Sequence, residues 1–127
     1  SQPTVSLIAE STFAKTDLYK FVELTTANRV QVPASTAIPT LVGTLLSQTY
    51  STSTGANETV TVGLLQGIGK VFMAGSTLAS GDSITCSTLG YGISASTNRV
   101  KLGIIVDGTS GTTGRVHSVL FVRTPEL

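Results

Sequence analysis

The chain has 127 residues, of which 40% are hydrophobic and only 12% are charged, with eight basic residues against seven acidic ones. This length fits one domain that buries roughly two-thirds of its unfolded surface. The basic residues are scattered and no apolar run approaches the ~20 residues of a membrane helix, so we expect neither direct nucleic-acid binding nor a membrane span.

The first residues differ in pattern from the rest, and we expect residues 1–17 to be an extended N-terminal arm. They hold the short apolar run Val5-Ser6-Leu7-Ile8, then Phe13, and no turn pairs this run with a neighbouring strand. Three structures stay open for it: an edge strand of the same sheet, a disordered terminus, or an arm that adds a strand to another subunit's sheet. Residues 18–127 are expected to form a single β-rich domain.

Seven later segments have the composition or alternation of β-strands. Several place apolar residues at every second position, as a half-buried strand requires, and turn residues separate the segments at intervals of about 10 to 15 residues. The segments span residues 19–24, 29–32, 58–64, 70–73, 83–86, 100–106 and 115–122. The spacing predicts an all-β sandwich or barrel with at most one or two short helical turns.

Helical signals are weak because β-branched residues dominate the sequence. One helical turn is expected at residues 76–79, where Ser76 could cap it. A weaker candidate at residues 36–46 contains Pro39 and Gly43, which disfavour a helix. The polar, glycine-rich segments 51–57 and 107–114 are expected to be hairpin or crossover loops.

The sequence contains one cysteine and one histidine, which limits its catalytic and metal-binding chemistry. Cys86 alternates with Ile84 and is expected to be a small buried hydrophobe. His117 excludes two-histidine metal sites, and although Asp82 or Asp107 could orient its ring in a Ser-His-Asp set, no G-x-S-x-G motif accompanies it. We therefore expect no enzymatic activity, no metal site and no cofactor.

Two glycine motifs are expected to be structural. Residues 67–70, GIGK, lack the spacing of a phosphate loop, because Leu64 replaces its first glycine and Val71 its hydroxyl residue, so they predict a bulge or tight bend. Asp82 follows Gly81 and predicts a turn in which the carboxylate accepts a hydrogen bond from a nearby backbone N–H.

Glycines and apolar pairs recur in a definite order along residues 18–123. The segments that carry this order are residues 19–22, 41–45, 60–62 with 67–71, 78–84, 100–104 and 116–122. In two of them a glycine interrupts a strand, as Val42-Gly43 and Leu102-Gly103-Ile104. This order resembles that of the capsid decoration, or cement, proteins of tailed bacteriophages, and more loosely the lambda-type head-decoration protein. The Ser/Thr-rich loop 51–57 and the N-terminal arm depart from that pattern.

The resemblance implies a small β-barrel or β-tulip-like domain that binds as a homotrimer to the major capsid protein on the outer surface of the mature head. There it would stabilise the head against internal DNA pressure, with neighbouring decoration subunits as further partners. With no basic-then-apolar signal pattern at the start, synthesis is expected in the host cytoplasm. The arm residues Val5, Leu7, Ile8 and Phe13 are expected to contact the shell or an adjacent subunit.

A receptor- or glycan-binding β-module of a phage head fibre or tail stays open as an alternative. Hydroxyl-rich loops could suit glycans, but glycan sites usually stack sugars on Trp or Tyr side chains. The chain has no tryptophan and three tyrosines, Tyr19, Tyr50 and Tyr91.

Overall fold

The computed structural model describes residues 2–33, 41–46, 53–54, 57–73, 79–87, 89–95, 101–107 and 116–122. Within these ranges the chain forms short β-strands and one 3-10 turn, at Lys15–Asp17, which confirms the all-β prediction. The strands are β1 (Thr4–Ala9), β2 (Phe13–Ala14), β3 (Phe21–Leu24), β4 (Arg29–Gln31), β5 (Leu41–Leu45), β6 (Ser53–Thr54), β7 (Thr59–Leu64), β8 (Ile68–Phe72), β9 (Ser83–Cys86), β10 (Gly92–Ser94), β11 (Gly103–Ile105) and β12 (Val116–Phe121).

The first half of the chain closes into a five-stranded barrel with the order β1-β4-β3-β5-β7. Its neighbouring strands are antiparallel except for β1 and β4, which run parallel. Strand β3 shifts register between Val22 and Glu23, and such an irregularity helps a sheet curve. The buried side chains inside this barrel are Ala9, Phe13, Val22, Val30, Leu45, Val60 and Val62.

The second half forms an antiparallel sheet with the order β10-β9-β11-β12-β8. An isolated parallel bridge from Met73 to Gly92 links its two outer strands, so the sheet curls around its own core. The curl is tight at Gly92, where a Cβ atom would lie 2.7 Å from Met73 Sδ and 2.8 Å from Val71 Cγ1. The buried hydrophobic cluster here contains Phe21, Leu41, Val71, Met73, Ile84, Cys86, Leu102, Ile105, Val119 and Phe121.

Residues 4–9 are a strand of the barrel, so the expected separation of an arm at 1–17 from a domain at 18–127 does not describe this fold. Strand β1 pairs along its length with β7, with Val5 opposite Val62, and it meets β4 on its other side. Of the three structures left open for this run, a strand of the same sheet comes nearest, although β1 has neighbours on both sides and is not an edge strand. Its partner β7 lies far along the chain, so no hairpin turn in the sequence indicates the pairing. Ala9 and Phe13 are fully buried in the same barrel.

Most of the other predicted strands agree with the strands of the structure. The seven predicted segments correspond to β3, β4, β7, β8, β9, β11 and β12. Residues 41–45 form a strand, as the family resemblance implied, so the helix suggested over 36–46 is wrong there, while residues 36–40 lie outside the described ranges. Residues 76–78 of the expected helical turn, and most of the loops 51–57 and 107–114, also lie outside them.

Candidate functional site

His117 lies in the interior of the second sheet, paired with an aspartate. The ring is 1% exposed, and its Nδ1 atom lies 2.8 Å from Asp107 Oδ1, while Asp107 Oδ2 accepts a hydrogen bond from the Ser118 backbone N–H at 3.0 Å. The carboxylate therefore fixes the tautomer with the proton on Nδ1. Nε2 is buried and has no hydrogen-bond partner among the described residues. Asp107 is one of the two partners that the sequence predicts for the ring, and no serine among the described residues completes a triad there.

Cys86 is buried in the same core, as the sequence predicted. Burial raises the pKa of its thiol to about 12, and the charge of Glu23 acts in the same direction. The Sγ atom lies 3.0 Å from the Ser87 carbonyl oxygen, to which the thiol donates. A thiol with so high a pKa is almost entirely protonated near neutral pH, so it lacks the thiolate character of a reactive cysteine.

The two glycine motifs are turns, as predicted. Gly67 has a φ of 67° in the bend between β7 and β8, and Gly81 has a φ of 94°. The Asp82 carboxylate accepts a hydrogen bond from the Ala79 backbone N–H at 2.8 Å. Within the described ranges no three His, Cys, Asp or Glu side chains group closely enough to hold a metal ion. No helix in those ranges has the length and apolar character needed to cross a membrane.

Aromatic rings and lysines gather where the barrel meets the second sheet. Lys20 is only 7% exposed, and its Nζ atom lies 2.8 Å from Asp17 Oδ1, 4.6 Å from the centroid of the Tyr91 ring and 5.8 Å from that of Phe72. The Phe72 and Tyr91 centroids are 5.5 Å apart. Lys70 Nζ lies 5.9 Å from the centroid of the Tyr19 ring. We call this group the aromatic–lysine cluster: Tyr19, Lys20, Lys70, Phe72 and Tyr91.

Tyr19 occupies an uncommon backbone conformation for a bulky residue, with a φ of 69°. Two backbone hydrogen bonds hold it there: its N–H donates to Leu45 O at 2.8 Å, and its carbonyl accepts from Phe72 N at 2.9 Å. Tyr19 therefore connects β5 of the barrel to β8 of the second sheet. A strained backbone persists only when its surroundings over-determine it, and such positions concentrate at functional sites.

The outer face of the second sheet carries exposed apolar side chains. Ile68, Leu120 and Ile104 lie directly opposite one another on the neighbouring strands β8, β12 and β11. Ile68 is 51% exposed and Leu120 is 38% exposed. We call Ile68, Ile104 and Leu120 the outer strip. Exposed apolar residues that lie side by side are typical of surfaces that bind other molecules, whereas single ones are not informative.

The outer strip and the aromatic–lysine cluster share one face of the sheet. Along β8 the buried residues Gly69 and Val71 alternate with Ile68, Lys70 and Phe72, so these last three side chains point outward together. The sequence of segment 115–122 indicates this surface, because its apolar residues occupy outward as well as inward positions of the strand. The closeness of Tyr19 and Tyr91 had no signal in the sequence, because the fold alone brings them together.

The four residues expected to grip a capsid do not form one surface. Val5 is exposed, whereas Leu7 and Ile8 are half-buried and Phe13 is fully buried. Leu7 packs against the core of the barrel. A side chain that fills its own core cannot also be an anchor for another molecule without unfolding, so Phe13 is unsuited to the expected role.

Comparisons with known proteins gave a match in structure but not in sequence. No family model matches the chain, and no curated protein matches it. Among solved structures, the chain is similar to the N base of the head fibre protein gp8.5 of bacteriophage phi29, with a TM-score of 0.65 and 15% identity. The similarity covers 96% of this chain and 95% of that one. The two proteins therefore share a fold over nearly their whole lengths.

Proposed function

We propose that this chain is a structural protein of a bacteriophage virion that binds the outer surface of the head as a homotrimer and cements the shell. The observation that carries the proposal is the full-length likeness in fold to the base of a phage head fibre. It agrees with the order of glycines and apolar pairs in the sequence, which resembles that of phage decoration proteins. The fold and the sequence pattern thus both support a role on the phage head.

The outer strip suits a protein whose work is binding. Its exposed apolar side chains, Ile68 and Leu120, lie on a sheet with little charge, and only 12% of the whole chain is charged. Such a surface is inexpensive to desolvate against another protein, since few ions must leave water. Contact of the N-terminal segment with the capsid stays a prediction, for which exposed Val5 is the best placed of its four side chains.

Cementing follows from preferential binding to the assembled shell. A protein that binds the mature lattice, and not the separated capsomers, stabilises it by RT ln(1 + [L]/Kd) per site, which is several kcal/mol at saturation. A trimer that engages three neighbouring sites adds avidity of ~10²-fold or more, because the second and third contacts form at high effective concentration. Selectivity for mature heads requires that the bound footprint exist only after expansion.

A second candidate role is that of a fibre base, an anchor for another component instead of a cement. It is favoured by the identity of the structural neighbour, which is the N base of a head fibre. The two roles differ in their effect on the shell. Heads that lack a cement should lose DNA at a lower temperature than complete heads, whereas heads that lack a fibre base should keep their DNA and lose an appendage.

The proposal can be tested with purified protein and phage heads that lack it. We expect light scattering to give the mass of three chains, and the protein to sediment with mature heads. Ile68→Lys and Leu120→Lys place charges in the outer strip and should weaken trimer formation or head binding at least about tenfold, since burying an unpaired charge is costly. Leu24→Lys is the matched control, because Leu24 is exposed to 40% on β3 of the barrel.

The control variant should form trimers and bind heads like the unchanged protein, and circular dichroism should show that all three variants are folded. A single-chain mass together with no sedimentation on mature heads would refute the proposal. If neither lysine substitution in the outer strip affects trimer formation or head binding, the outer strip is not part of the binding surface.

A further inference from the structure

We propose that the aromatic–lysine cluster is a binding site for an acidic saccharide. The cluster presents the half-buried side chains of Tyr19, Phe72 and Tyr91 along one side of the molecule. Partly exposed aromatic rings offer flat apolar faces on which the C–H faces of a sugar ring can pack, and tyrosine adds a hydroxyl for hydrogen bonding. Tyr19 and Tyr91, the two tyrosines that the structure describes, both lie at this one place.

The cluster is held in position before any ligand arrives. Lys20 is fixed between the Asp17 carboxylate and the Tyr91 ring, which orders the side chains beneath the surface. The Tyr19 backbone is held at a positive φ by hydrogen bonds to Leu45 and Phe72, one on each β-unit. The side chains of a site that is already ordered lose little conformational entropy when a ligand binds, which favours affinity at this surface.

The charges of the cluster select an acidic ligand over a neutral one. The positive charge of Lys20 is balanced by Asp17. Lys70 is exposed, its Nζ lies near the Tyr19 ring, and among the described residues it forms no salt bridge. The uncompensated ammonium group is therefore available to a ligand carboxylate, and a charge-assisted hydrogen bond is roughly twice as strong as a neutral one. A uronic acid residue combines such a carboxylate with a stackable ring.

This inference is independent of the proposed role on the phage head. It concerns the cluster around Tyr19 and Lys70, whereas head binding was assigned to Ile68 and Leu120. A protein that cements heads without binding saccharides would overturn only the inference. A protein that binds acidic saccharides but ignores heads would overturn only the proposed function.

The test uses the intact purified chain and oligogalacturonate, with a maltooligosaccharide of the same length as the neutral comparison. Because the chain has no tryptophan, its intrinsic fluorescence comes mainly from three tyrosines, two of which lie in the cluster. We expect oligogalacturonate to change this fluorescence saturably, with calorimetry giving the affinity. The neutral sugar should bind at least about tenfold more weakly, and added salt should weaken only the acidic ligand.

Two substitutions separate the contribution of the ring from that of the charge. Tyr19→Gly removes the ring while placing at φ 69° the residue that best tolerates it, so the fold should be kept and the affinity should fall at least about tenfold. Lys70→Ala should lower the affinity for oligogalacturonate by about tenfold, and Lys70→Arg should restore most of it. Lys101→Ala removes an equal charge from another exposed lysine and should leave the affinity unchanged.

Three results would overturn the assignment. The first is the lack of saturable binding of oligogalacturonate at millimolar concentration. The second is equal affinity for the acidic and the neutral ligand. The third is a loss of affinity in Lys101→Ala as large as that in Lys70→Ala, which would indicate attraction to the overall charge of the protein instead of a site.

Discussion

His117 is a polar side chain among apolar ones, and its two ring nitrogens have different surroundings. Nδ1 has the Asp107 carboxylate at 2.8 Å, whereas Nε2 is buried and has no partner in the part of the chain that the structure describes. An unsatisfied buried polar atom costs about 1–3 kcal/mol of stability. Asp107 keeps this cost from doubling, because its carboxylate accepts a hydrogen bond from Nδ1 and so keeps the proton on that nitrogen.

We predict that Asp107→Ala lowers the free energy of unfolding by about 1–3 kcal/mol, because it leaves both nitrogens of a buried ring unsatisfied. His117→Leu, with a side chain that suits the apolar core, should cost less. The double variant should be more stable than Asp107→Ala alone. Urea denaturation of the three variants measures the coupling between the two residues.

The control is Asp82→Ala, which removes a carboxylate that bonds one backbone N–H at an exposed turn. It should cost about 0.5–1 kcal/mol, the lower part of the range for a lost capping bond. Additive effects of the His117 and Asp107 substitutions would show that the ring and the carboxylate do not stabilise each other.

Among the strands, β1 is the one whose loss would disrupt the barrel most. It lies between β4 and β7 in the closed barrel, so it completes the hydrogen bonding of both neighbours. Its last residue, Ala9, and the following Phe13 fill the barrel core. Without β1 the barrel would have two open edges and a cavity, which is a structure prone to aggregation.

We predict that a chain that lacks residues 1–16 does not fold cooperatively. Loss of Phe13 alone should cost about 3–5 kcal/mol, a large part of the stability of a small domain. Circular dichroism during a urea titration checks this. Val5→Ala is the control, since Val5 is exposed near the start of β1 and should change stability little. A shortened chain that still unfolds in a sharp transition would show that β1 is dispensable.

The strands that could be predicted from the sequence are those whose own residues have the composition or alternation of a strand. Segment 83–86 alternates polar and apolar residues, and segment 115–122 is rich in β-branched and other apolar residues. Both form strands in nearly the expected bounds. Strand β10 was not predicted, because three residues that begin with Gly92 carry too little pattern. The pairing of β1 with β7 could not be predicted, since long-range pairing depends on tertiary packing that local periodicity does not encode.

The same limit applies to the candidate sites. The buried state of Cys86 and the turn at Asp82 follow from neighbours in sequence, and both were predicted. The aromatic–lysine cluster was not, because it combines the separate segments that hold Tyr19, Lys70 and Tyr91. Such a cluster becomes visible only once the two sheets are placed against each other.

At the scale of the whole molecule, the barrel and the second sheet share buried residues. Phe21 and Leu41 belong to barrel strands, yet they lie in the hydrophobic cluster of the second sheet. Backbone hydrogen bonds from Phe21 N to Gly90 O at 2.8 Å and from Phe72 N to Tyr19 O at 2.9 Å join the two units. Neither half can lose its structure without exposing apolar surface of the other.

We predict that the protein unfolds in one transition. Tyrosine fluorescence and far-ultraviolet circular dichroism should give coincident urea curves, as two-state unfolding requires. Phe21→Ala should shift the whole curve to lower urea concentration, by about 3–5 kcal/mol in free energy, and should not split it. Two separate transitions would show that the barrel and the second sheet are independent folding units.

The closure of the barrel by β1 and β7 also affects how the protein folds during its synthesis on the ribosome. Val5 is synthesised before Val62, so β1 has no antiparallel neighbour until β7 has been made. Folds dominated by such distant contacts form slowly, and their unpaired strands are exposed in the meantime. The nascent chain therefore has an interval in which β1 is a vulnerable edge, and chaperones that shield emerging strands would raise its yield.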